Sequence, residues 1–101
     1  MFFNRIPSIK ATELESQLSE RPQIIDVREP HEFKAGHIPN AKNVPLRKIS
    51  TYTPKGKVYV ICQSGMRSKK AAKLLKSQGY EVVNVRGGMS AWTGNIRGGK
   101  A

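Results

Sequence analysis

At 101 residues, 38% of them hydrophobic, the chain can bury one modest core and is too short for two. One cysteine excludes an intramolecular disulfide, and one cysteine with two histidines is a poor ligand set for structural zinc. The net charge of +11 lies almost wholly in residues 51–101, which carry ten basic side chains against the single acid Glu81, so anions are expected to be drawn to that half.

Taken in chain order, Thr12-Glu13-Leu14-Glu15 predicts a capping box at a helix start, with Leu14 and Leu18 as the apolar stripe of that helix. Gln23 to Val27 reads as a buried strand between Pro22 and the polar Arg28-Glu29-Pro30. Pro30 opens a short helix through Phe33 and Lys34 that Gly36 ends. A loop from Gly36 to Ala41 follows, and Val44-Pro45-Leu46 leads toward a short helix. Val58-Tyr59-Val60-Ile61-Cys62 is the clearest strand, β-branched and aromatic without a polar break, as a central parallel strand requires.

The next helix, about Arg67 to Gln78, is amphipathic. Ala71, Ala72, Leu74 and Leu75 share one side, and Lys69, Lys70, Lys73 and Lys76 stripe the other, with Gly79 as the stop. A strand from Glu81 to Val85 then leads to Gly87-Gly88 and a last short helix bearing Met89 and Trp92. Strands alternating with helices predict an α/β fold: a small parallel β-sheet flanked by helices on both faces. Residues 1–101 are expected to form one domain with a core over about 5–94 and a flexible tail over 95–101.

In such sheets ligands bind beyond the carboxyl ends of the strands, where Cys62 stands. The loop Cys62-Gln63-Ser64-Gly65-Met66-Arg67 must curl tightly, and Gly65 permits a positive φ. Its amides, with the helix N-terminus behind them, can then surround the sulfur and favour a thiolate near neutral pH. A free cysteine at a strand end is more often a small buried hydrophobe; the loop that follows is what argues otherwise.

Four motifs in order, Ile25-Asp26-Val27-Arg28, Gly36-His37-Ile38-Pro39, the loop from Cys62 to Arg67, and Gly87-Gly88-Met89 with Trp92, resemble the signatures of a rhodanese homology domain. Asn84-Val85 before the glycine pair fits the same pattern, and the match runs from about Gln23 to Thr93. The resemblance implies a thiosulfate sulfurtransferase. Cys62 would take the outer sulfur of a thiosulfate-like donor as a persulfide and pass it to cyanide or a thiol, with no cofactor and no metal.

On the same resemblance Arg67 steadies an anionic donor, and Gln63, Ser64, Gly65 and Met66 contribute mainly backbone amides. Asp26 and Arg28 are expected to act as an ion pair or loop brace, with Glu32 a candidate partner for one of the arginines. His37 could serve as an acid or base, but a thiolate already formed needs no base, so a hydrogen bond that fixes its own loop is expected. Asn40 stands where the family commonly has glycine, and asparagine tolerates the left-handed region.

With no second cysteine, sulfur must leave to an external acceptor, so the alternative is a sulfur-carrier or protein-binding module that receives sulfur from a trafficking protein. Related phosphatases and arsenate-handling enzymes use one more residue between cysteine and arginine; here four intervene, a cradle sized for one sulfur atom. Nucleic-acid binding ranks last, since no aromatic-rich or nucleotide-reading motif accompanies the charge. No run is long enough to cross a membrane, Met1-Phe2-Phe3 does not make a signal peptide, and a lone reduced thiol points to the cytoplasm.

Overall fold

The computed structural model describes residues 5–100, so the apolar start Met1 to Phe3 lies outside the described residues. Five strands, β1 (Ser8–Lys10), β2 (Ile24–Asp26), β3 (Lys42–Asn43), β4 (Val58–Ile61) and β5 (Val82–Arg86), form one sheet in the order β1-β5-β4-β2-β3. Every pairing is parallel. The helices are α1 (Ala11–Glu15), α2 (Pro30–Ala35) and α3 (Met66–Ser77), with 3₁₀ segments at Leu18–Glu20, Leu46–Thr51 and Gly88–Ala91. The predicted α/β architecture is the one observed.

The period of two along β4 explains its unbroken apolar run. Val58, Val60 and Cys62 face a core with Ile25, Val27, Ala71, Ala72 and Leu75, while Tyr59 and Ile61 face a second core with Leu14, Ile38 and Val85. α3 and the Leu46–Thr51 segment cover the first face; α1 and the turn at Gly88–Ala91 cover the second. β4 is therefore buried on both sides, and Cys62, the residue after its carboxyl end, is fully buried.

Several sequence expectations shift. The cap of α1 lies two residues early: the Lys10 amide donates to Glu13 Oε1 at 2.8 Å, and Thr12 sits inside the helix. β1 docks Ser8–Lys10 against β5, which anchors the chain just before Ala11, and this early anchor places the cap. Leu14 is fully buried, whereas Leu18 belongs to a 3₁₀ turn and is half-buried. Ala71, Ala72 and Leu75 form the buried stripe of α3, but Leu74 lies at its margin and is 36% exposed. The Gly-rich end, read as fraying, is held where it passes α2: His37 and Arg97 exchange backbone hydrogen bonds of 2.8 Å, and the Gly99 amide donates to Lys34 O. Among the described residues no helix is long and apolar enough to cross a membrane.

Candidate active site

Cys62 follows the last residue of β4, and the chain turns at once into α3. Gly65 makes the turn with φ of 107° and precedes the first residue of that helix. Its amide donates to Cys62 Sγ at 3.0 Å, and Ser68 Oγ, one turn into α3, lies 3.4 Å from the same sulfur. Burial is the largest influence on the thiol and opposes ionisation. The Ser68 hydroxyl and the amides of Ser68, Gly65 and Ser64 together outweigh it, so Cys62 ionises below the ordinary thiol range.

Ser68 was not singled out from the sequence. The signal was a small polar residue on the buried face of α3 directly after Arg67, where an apolar residue would be ordinary. Its hydroxyl has one proton and two neighbours. Beside a neutral thiol it donates to Gly65 O at 3.1 Å; beside a thiolate it can turn toward sulfur.

The loop is clamped from a second side by the turn at Gly88–Ala91. The Met89 amide donates to Cys62 O at 2.8 Å and the Ser90 amide to Gln63 O at 2.9 Å, while Gln63 Nε2 reaches Ser90 Oγ. Gly88 has φ of 57°, and a Cβ built there would come within 2.7 Å of the Gln63 carbonyl group. The glycine pair therefore permits a backbone approach that no side chain would.

Asp26 and Arg28 form a buried ion pair, with Arg28 Nη2 2.8 Å from Asp26 Oδ2 and Arg28 Nε donating to both oxygens. Arg28 also donates to Gln63 Oε1 at 3.2 Å and to Gly36 O at 2.7 Å, so the pair ties β2 to the loop. Removing one partner of such a pair typically costs about 3–5 kcal/mol, because the other charge is left buried and alone.

Arg67 stands at the start of α3, where the helix dipole disfavours a cation, and Glu32 of α2 compensates. Arg67 Nη1 and Nη2 donate to Glu32 Oε1 and Oε2 at 2.7 and 2.9 Å. This bidentate contact, foremost, holds the Glu32 carboxyl down at about 2, and the same contact raises Arg67. Glu32 Oε1 also accepts from the Glu29 amide at 2.9 Å, which fixes the carboxylate in place. One edge of Arg67 is thus already occupied by an anion of the protein itself.

The remaining predicted residues differ in exposure and in partners. Gln63 and Ser64 are exposed on the loop, and Met66 is 78% exposed as the first residue of α3. His37 is buried and turned to α2: its Nδ1 bonds Phe33 O at 2.8 Å and its ring stacks on Phe33 at 3.6 Å. Asn40 adopts φ of 71° in the turn after it.

Residues 10–95 match the family described as the rhodanese-like domain. The chain belongs to that family. A rhodanese-like domain protein from Staphylococcus aureus, solved by crystallography, is 36% identical and aligns over 94% of this chain and 100% of its own, with a TM-score of 0.84. Among curated relatives, YtwF of Bacillus subtilis, provisionally named a sulfurtransferase, is 43% identical over 86 residues, spanning 80% of this chain and 82% of YtwF. YrkF of the same organism, provisionally named a sulfur carrier protein, is 37% identical over 92 residues, and the match spans only 50% of its length. The rhodanese-like loop here is thus a curled strand-to-helix turn around one buried thiol.

Proposed function

We propose that this rhodanese-like chain is a sulfurtransferase that moves sulfane sulfur from a thiosulfate-like donor to cyanide or a thiol through a persulfide on Cys62. The observation that carries the reading is the sulfur itself, enclosed at the end of β4 with the Gly65 amide at 3.0 Å and the Ser68 hydroxyl at 3.4 Å. The Cys62 thiolate attacks the outer sulfur of the donor. In thiosulfate the S–S bond breaks, sulfite leaves with the bonding pair, and the outer sulfur stays on Cys62 with a negative charge. The loop amides and the positive end of α3 face the place where that charge develops. An acceptor thiolate then attacks the outer sulfur of the protonated persulfide; the new bond carries the sulfur away and Cys62 leaves as thiolate.

Arg67 and the lysines of α3 supply the positive surroundings that draw the donor, although Glu32 already takes one edge of Arg67. A second reading, a carrier that receives sulfur from a trafficking protein, is favoured by the groove beside the loop. That groove, of about 410 Å³, is lined by Leu46, Met66, Arg67, Lys69, Lys70 and Lys73. It offers cations and an exposed methionine to an acidic protein surface. A reducing, cytoplasmic setting suits a lone catalytic thiol.

The test is to incubate reduced protein with thiosulfate, remove the excess, and weigh the intact chain beside Cys62→Ala. A gain of one sulfur atom, reversed by a thiol and absent from the folded mutant, is expected. Full transfer by Cys62→Ala would overturn the assignment. No gain from thiosulfate, with a gain from a persulfidated protein, would select the carrier reading.

A further inference from the structure

A second cleft opens on the other side of the same loop. It measures about 280 Å³ and is lined by Ile6, Ser8, Ser64, Gly65, Lys69, Asn84, Arg86 and Gly87. Asn84 is its unusual member. In the parallel register Asn84 lies level with Val60 of β4 and Ser8 of β1, so its side chain points to the face that α3 covers. There it is only 7% exposed, and its Oδ1 has no hydrogen-bond partner, alone in this among the buried side-chain polar atoms of the described residues. A buried acceptor without a donor is costly and marks a place where a donor is expected to arrive.

The surroundings say what kind of donor. Lys69 and Arg86 line the cleft, both exposed, and neither is among the ion pairs of the described residues. The acids nearest the loop, Asp26 and Glu32, are bound to Arg28 and Arg67. The cleft also shares Gly65 with the cradle of Cys62, so a molecule seated in it reaches the loop that holds the sulfur.

We infer that this cleft is the subsite for a small acceptor thiol of the amino-acid or short-peptide class, with its N–H on Asn84 Oδ1 and its carboxylate between Lys69 and Arg86. The inference rests on the persulfide reading above and names its acceptor. The chemistry is that of the second transfer already described: the acceptor thiolate takes the outer sulfur, the S–S bond breaks, and Cys62 returns as thiolate. The cleft adds orientation, holding the thiol beside the loop that carries that sulfur.

The test begins by loading Cys62 with inorganic polysulfide and confirming one added sulfur by intact mass. Loaded protein is then discharged by N-acetylcysteine, 3-mercaptopropionate and 2-mercaptoethanol, with rates expressed per thiolate. N-acetylcysteine is expected to be fastest and 2-mercaptoethanol slowest, the two differing by on the order of tenfold. Lys69→Gln with Arg86→Gln should bring 3-mercaptopropionate to the level of 2-mercaptoethanol. Asn84→Ser should remove the lead of N-acetylcysteine over 3-mercaptopropionate. Equal rates in the native protein, or an order that survives the lysine and arginine substitutions, would overturn the subsite while leaving the persulfide in place. Failure to load Cys62 from any donor would instead remove the persulfide, and the subsite with it.

Discussion

The ionisation of Cys62 is a balance between burial and hydrogen bonding, and Ser68 is the residue on which that balance turns. Burial alone would raise the thiol; the Ser68 hydroxyl is the foremost of the contacts that lower it, followed by the loop amides. Ser68→Ala should therefore move the ionisation of Cys62 upward and slow its alkylation at neutral pH by several-fold. The pH profile of iodoacetamide labelling measures this directly, and an unchanged midpoint would exclude the hydroxyl from the balance. Cys62, Gly65 and Arg67 were legible in the sequence because a strand, a tight loop and a helix follow one another within a few residues. Ser68 was not, since a serine in a first helical turn ordinarily serves the helix itself.

Between elements, a contact across 35 positions joins α2 to α3 beside the site. Glu32 and Arg67 are far apart in the chain, and their pairing fastens the α2 turn to the start of the helix behind the loop. The sign of its pH dependence follows from the Glu32 carboxyl, lowered from 4.5 to about 2. Its contribution to stability is complete above 4.5 and is lost as pH falls from there toward about 2. Glu32→Gln should unfold at lower urea than the native protein near pH ~7, and the gap should close in strong acid, where Glu32 is protonated and as neutral as the glutamine. A gap that persisted in acid would mean the pair acts through packing rather than charge. The strands that escaped the sequence reading, β1 and β3, are edge strands of two or three mostly polar residues. They lack the apolar run of β4 because each pairs on one side only, so nothing in their composition distinguishes them from loops.

For the molecule as a whole, the excess positive charge sits on the half that contains the loop, and Lys69, Lys70 and Lys73 remain exposed beside it. Anionic donors should therefore be captured faster at low ionic strength. Raising salt from about 0.05 to about 0.5 M shortens the screening length to below ~5 Å, and should slow sulfur uptake from thiosulfate several-fold. An uncharged sulfane donor should show no such loss in stopped-flow uptake, and equal salt sensitivity for both would discount steering.

By itself, the sequence determined the parallel α/β order, the central strand and the tight loop after Cys62. These follow from local physics: periodicity of two and of 3.6, β-branched content, glycines at turns, and four residues between Cys62 and Arg67. Only the tertiary structure decided what each charged or polar side chain meets. It paired Arg67 with Glu32, buried Arg28 against Asp26, turned His37 onto Phe33, and left Asn84 Oδ1 without a donor. The physical reason is that backbone patterns are written over a few neighbouring residues. The partners of a side chain come from whichever distant segment the packed sheet brings beside it.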